Sequence, residues 1–69
     1  MIDLVKEGGL WTVTLNRPDK ANSLTPGMLE DLAGIAEAGA TDDDLRALIL
    51  TGAGDRVFSA GADLEAAKA

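Results

Sequence analysis

The sequence predicts an α/β unit of order strand, strand, helix, strand, and three patterns carry that expectation. An alternating, β-branched run at Leu10–Leu15 follows a Gly8-Gly9 pair; Met28, Leu29, Leu32, Ala33, Ile35 and Ala36 recur at three-and-four spacing; residues 45–51 are almost continuously apolar. One unit is all that 69 residues can build, because a chain of this size buries only roughly 60% of the surface that its unfolded form exposes.

Residues 2–5 alternate loosely and Gly8-Gly9 supplies a tight turn, so the first two strands read as a β-hairpin. Trp11, the only tryptophan, alternates with Val13 and Leu15 and is expected in the core. Residues 16–23 collect a proline, two asparagines, an aspartate and a serine, the composition of a structured polar loop. Thr25 before Pro26 is an N-cap with proline at the first helical position, and the amphipathic helix that follows is expected to stop near Gly39. The Asp42-Asp43-Asp44 run reads as a solvated loop, because it lacks the alternating ligands, central glycine and final glutamate of a calcium loop. Residues 45–51 have the pattern of a strand buried on both faces, and so little chain to cover them implies that further layers are needed. Beyond the turn at Gly52-Ala53-Gly54-Asp55, Val57-Phe58 is expected to extend briefly and Asp63 to cap a helix starting at Leu64.

Composition narrows the function classes. A net charge of −6 opposes binding to a nucleic-acid backbone, and no apolar run approaches the roughly 20 residues of a membrane span. A soluble, cytosolic protein with no membrane or nucleic-acid partner is therefore expected. The chain has no Cys and no His, which removes disulfide and zinc stabilisation and leaves association as the route to added stability. No metal site is expected. Gly52-Ala53-Gly54 is not a dinucleotide loop, since Val57 stands where the third glycine would fall. Glu7, Glu30, Glu37 and Glu65 have no neighbour placed to perturb them, so no general acid or base emerges. Arg17, Lys20, Arg46 and Arg56 are candidates for phosphate contacts or for surface ion pairs, Lys20 foremost because it lies in the polar loop. Ser59-Ala60-Gly61-Ala62-Asp63 admits two readings: a tight strand-to-helix turn with an Asp cap, or a small-residue segment whose peptide N–H groups meet a developing negative charge.

Two segments together carry a resemblance. Residues 13–32, VTLNRPDKANSLTPGMLEDL, and residues 45–64, LRALILTGAGDRVFSAGADL, resemble the N-R-P-x-x-x-N-[AS]-L signature and the F-[SAC]-A-G-[AG]-D loop of the enoyl-CoA hydratase/isomerase (crotonase) superfamily, in the family's order and spacing. The resemblance implies a partial crotonase-type (ClpP/crotonase-like) β-β-α spiral, with residues 1–69 as the N-terminal fragment of a crotonase-like domain. It implies an acyl-CoA thioester as substrate, with no separate cofactor, whose carbonyl sits between two peptide N–H groups. One of these donors falls on Ala62. By the same resemblance Lys20, Ala21, Ala60, Gly61 and Leu64 line the coenzyme A site, and Asp63, counted with them, braces the loop. The family's second glycine-rich segment and its catalytic glutamates lie beyond the equivalent of Ala69, so residues 1–69 alone are expected to catalyse nothing. Activity then calls for the missing half, either as the continuation of a longer chain or from a complementing C-terminal polypeptide, and a homo-oligomer is a further expected partner; the alternative is an inactive relic that serves as an association module.

Overall fold

The computed structural model describes residues 1–55 and 57–63, so the expected helix at Leu64 and the side chain of Arg56 lie outside the described residues. Strands β1 (Ile2–Glu7) and β2 (Leu10–Leu15) pair antiparallel from Ile2↔Leu15 to Glu7↔Leu10. Their connection is the two-residue turn at Gly8-Gly9, where Gly8 takes φ +59°, a conformation that glycine adopts without penalty. Alternation puts Trp11, Val13 and Leu15 on one face of β2, all buried to 2% exposure or less. Lys6 lies on the face of Trp11, its ammonium 4.4 Å from the ring centroid.

Helix α1 (Pro26–Ala40) begins as its sequence dictates: Thr25 is extended, its hydroxyl accepts the Met28 N–H at 3.1 Å, and Pro26 occupies the first turn, where a missing N–H costs nothing. Met28 is fully buried. The helix ends near Gly39 as expected, although Gly39 itself is helical and not at positive φ. The last helical residue is Ala40, and the Thr41 hydroxyl donates to the Ala38 and Glu37 carbonyls at 3.3 and 3.4 Å. Gly39 is there for space: a Cβ on it would lie 3.0 Å from Leu45 Cδ2 and 3.6 Å from Trp11 Cζ3, so its smallness lets the helix sit down on the Trp11 face of the sheet.

Strand β3 spans Ala47–Gly52 and pairs parallel with β2, from Leu10↔Ala47 to Leu15↔Gly52, giving the sheet order β1-β2-β3. It starts two residues later than the apolar run. The Asp42 carboxylate accepts the Asp44 N–H at 2.8 Å, Leu45 N–H bonds back to the Asp42 carbonyl, and Arg46 and Ala47 both donate to the Gly9 carbonyl, which holds residues 42–46 in a turn. Nor is β3 buried on both faces: Leu48, Ile49 and Leu50 are 43%, 47% and 46% exposed. The continuous apolar pattern is real, but the layers that would cover it are not built by these residues. Val57-Phe58 adds no strand among the described residues, since the Val57 carbonyl is taken by a side chain described below.

Candidate functional site

The polar loop after β2 folds around one arginine and one asparagine. Pro18–Lys20 form a single 3-10 turn, and Ala21 and Asn22 follow at φ 53° and 54°. Two consecutive left-handed non-glycine residues are uncommon, and asparagine is the type that tolerates the region best. The strain persists because Asn22 is held on all sides. It is fully buried, its Nδ2 donates to the carbonyls of Ala53 (2.9 Å) and Val57 (3.1 Å), its Oδ1 accepts the Arg17 N–H (2.9 Å), and its own carbonyl accepts the Ser59 hydroxyl (2.8 Å). Asn22 thus fastens the loop after β2 to the connection that leaves β3. Gly52 makes room for this, because a Cβ there would fall 2.3 Å from the Phe58 carbonyl oxygen and 2.8 Å from Asn22 Nδ2.

Beyond Ser59 the chain lies alongside Leu24 in an isolated parallel bridge, Leu24↔Ala62. Its two backbone bonds run from Leu24 N–H to the Gly61 carbonyl and from Asp63 N–H to the Leu24 carbonyl, both 2.8 Å. In a parallel pair, the residue flanked by such bonds turns its own N–H and C=O to the opposite side. Ala62 is that residue. Of the neighbouring amides, Ala60 donates to the Ala21 carbonyl at 3.0 Å and Gly61 to the Ser59 hydroxyl at 3.1 Å. The Ala62 N–H has no partner among the described residues, and Ala62 is exposed. Gly61, at φ +96°, supplies the backbone reversal that brings Ala62 into the bridge.

Arg17 ties both sides of this bridge together. Its Nη1 donates to Asp63 Oδ2 at 2.7 Å, to the Ser23 hydroxyl at 3.0 Å and to the Ser23 carbonyl at 3.1 Å. The arginine and aspartate side chains are 17% and 16% exposed. Of the two roles open to Arg17, phosphate contact or ion pairing, the structure assigns the second. Lys20 is exposed on the 3-10 turn, and its ammonium has no ion-pair partner among the described residues.

The fold therefore gathers five of the seven sequence-predicted positions, Ala21, Ala60, Gly61, Ala62 and Asp63, around two strands of backbone joined by Ala21–Ala60 and Leu24–Gly61 contacts. Lys20 stands beside them, and Leu64 lies outside the described residues. A cleft of about 360 Å³ opens on the loop, walled by Ala21, Asn22, Ala53, Gly54 and Val57 together with Pro18, Asp19 and Asp55. Ala62 is not in its wall, and its two carboxylate residues make it a poor seat for phosphate. Sequence reasoning named Ser59 and Asn22 only as members of their segments, and missed how they and Gly52 build the site. The two asparagines of the loop were visible, but the carbonyls that Asn22 satisfies lie 31 and 35 residues further on. No cluster of His, Cys, Asp or Glu suited to a metal occurs among the described residues, and no helix among them is long and apolar enough to cross a membrane.

The relationships of the chain agree with this architecture. The model of the enoyl-CoA hydratase/isomerase family matches residues 5–69. The chain is 47% identical over 53 residues to (E)-benzylidenesuccinyl-CoA hydratase of Thauera aromatica, 48% over 58 residues to 1,2-epoxyphenylacetyl-CoA isomerase of Escherichia coli, and 40% over 65 residues to short-chain-enoyl-CoA hydratase of Clostridium acetobutylicum. These alignments cover 77%, 84% and 94% of the chain, but only 21%, 22% and 25% of the respective relatives. Among solved structures, the enoyl-CoA hydratase of Bacillus anthracis superimposes with a TM-score of 0.89 at 37% identity, over 97% of this chain and 26% of that one. The β-β-α-β unit, the two matched segments and these relatives together make the chain a member of the enoyl-CoA hydratase/isomerase (crotonase) family, corresponding to its N-terminal portion.

Proposed function

We propose that residues 1–69 form the N-terminal part of an acyl-CoA-binding enoyl-CoA hydratase/isomerase and contribute, through the Ala62 N–H, one of two donors that stabilise a thioester enolate. The observation that carries this reading is the unpartnered Ala62 amide, held outward by a bridge whose other amides are all engaged. A preorganised donor of this kind typically contributes about 2.7–4 kcal/mol to transition-state stabilisation, and a main-chain donor does so with no side chain to order. Lys20 is the phosphate contact in this reading, because its ammonium is uncommitted. Ala21, Ala60 and Gly61 offer backbone and small side chains against which coenzyme A can lie, and Asp63 acts through the loop that it braces. The thioester is substrate and no further cofactor is called for. The second donor and the acid–base groups of this reading lie outside residues 1–69, so residues 1–69 alone will not hydrate crotonyl-CoA.

The test is a titration of the 15N-labelled chain with crotonyl-CoA and, in parallel, with coenzyme A, which lacks the thioester carbonyl. The Ala62 amide proton moves downfield with the thioester only, while Ala21 and Ala60 respond to both. An Ala62 resonance that stays in place when its neighbours are saturated refutes the assignment. The open face of β3 is what an association module would also present, but an uncovered face does not account for a single oriented amide.

A further inference from the structure

We infer that Arg17 is a positioning residue for the Ala62 donor, acting through Asp63 and Ser23; the inference rests on the role proposed above for Ala62. The bridge that orients Ala62 is isolated, with only the Leu24 N–H and Asp63 N–H bonds in it. Two backbone bonds make a short ladder; the Ala60–Ala21 and Ser59–Asn22 bonds hold its entry, and the Ser23 and Asp63 positions on either side of Ala62 are joined through Arg17. Ser23 immediately precedes one bridge residue and Asp63 immediately follows the other, so the guanidinium grips the bridge diagonally across its two strands. The remainder of Arg17 is anchored as well. Its N–H goes to Asn22 Oδ1, and its carbonyl accepts from the Lys20 and Asn22 amides. The grip is therefore referenced to the buried asparagine and not to a mobile side chain.

A charge-assisted bond at 2.7 Å between groups that are mostly shielded from solvent is stronger and more directional than a neutral bond. All three bonds leave from Nη1, so lysine keeps the charge and a donor, but it carries them on a more flexible stem without the rigid guanidinium plane. Arg17 is thus committed to geometry, and it reaches the ligand only through Ala62.

The experiment compares the chain with Arg17→Ala, Arg17→Lys and Asp63→Asn, the last being the mildest because the carboxamide oxygen still accepts. Residual dipolar couplings of backbone N–H groups report orientation without any ligand. In Arg17→Ala the Ala62 and Asp63 couplings shrink towards an average while those of Trp11, Val13 and Ile49 hold; Arg17→Lys and Asp63→Asn fall between. The ligand readout is the ratio of the coenzyme A Kd to the crotonyl-CoA Kd. It drops about tenfold in Arg17→Ala and recovers in part in Arg17→Lys, while the coenzyme A Kd itself changes less than twofold. Ala62 couplings that do not change in any of the three variants overturn the inference, as does parallel weakening of both ligands, which is what a merely structural role would produce. A wild-type chain with no preference for the thioester defeats the Ala62 assignment itself, and the inference with it. A preference that survives Arg17→Ala defeats the role of Arg17 alone.

Discussion

Asn22→Ala is the substitution whose cost can be worked most fully from the geometry. The side chain makes three hydrogen bonds, two from Nδ2 to the Ala53 and Val57 carbonyls and one from the Arg17 N–H to Oδ1. At a net value of about 1 kcal/mol each, their loss removes about 3 kcal/mol. Alanine also lacks the tolerance of asparagine for φ 54°, which adds about 1 kcal/mol. The total, about 4 kcal/mol, is set against roughly 3–10 kcal/mol for a whole domain of this length. Trp11 is the single tryptophan and is 2% exposed, so urea titration followed by its fluorescence reads the transition directly. Asn22→Asp separates the two contributions: it keeps the left-handed preference and the acceptor, but turns an acceptor towards two carbonyls. It should therefore destabilise by at least about 2 kcal/mol. An Asn22→Asp chain within about 0.5 kcal/mol of wild type would show that the backbone conformation alone explains the asparagine, and the fastening role assigned to its Nδ2 would be wrong.

The same glycine-to-alanine change should have unequal consequences at two positions. At Gly52 the new methyl meets the Phe58 carbonyl oxygen at 2.3 Å and Phe58 Cα at 2.9 Å, both main chain, so about 2–3 kcal/mol is lost in thermal or urea unfolding. At Gly39 the nearest atom is the end of the Leu45 side chain, which can yield, and the roughly 1 kcal/mol gained in helix propensity leaves Gly39→Ala near neutral. Thr25→Ala removes the acceptor for the Met28 N–H and should cost about 1 kcal/mol, with amide exchange quickening in the first turn of α1 before it does in β2.

What was legible in the sequence was what depends on near neighbours. The hairpin needed only Gly8-Gly9 between alternating runs, and the start of α1 needed only Thr25-Pro26, so both stand where local chemistry puts them. The end of α1 near Gly39 was legible too, but not the reason for the glycine, which is a close approach to Leu45 and Trp11 that no local window contains and not a positive φ. The buried pattern of β3 was read correctly as a pattern, yet burial depends on layers that residues outside this segment must provide. In the site, small residues marked the segment at residues 59–63, but spacing alone favours a tight turn over a donor loop. The free direction of the Ala62 amide depends on which neighbouring amides are engaged, and that is settled by Leu24, Ala21 and Ser59 together.

The nearly half-exposed Leu48, Ile49 and Leu50 also bear on how copies of the chain meet. β3 is a short, uncharged, β-prone stretch with one edge on β2 and the other unpaired among the described residues, the condition under which strands of separate chains pair wrongly. The acidic stretch just upstream, Asp42-Asp43-Asp44, lies next to that edge and adds like charge to every copy, so two chains approaching through β3 repel one another before their leucines meet.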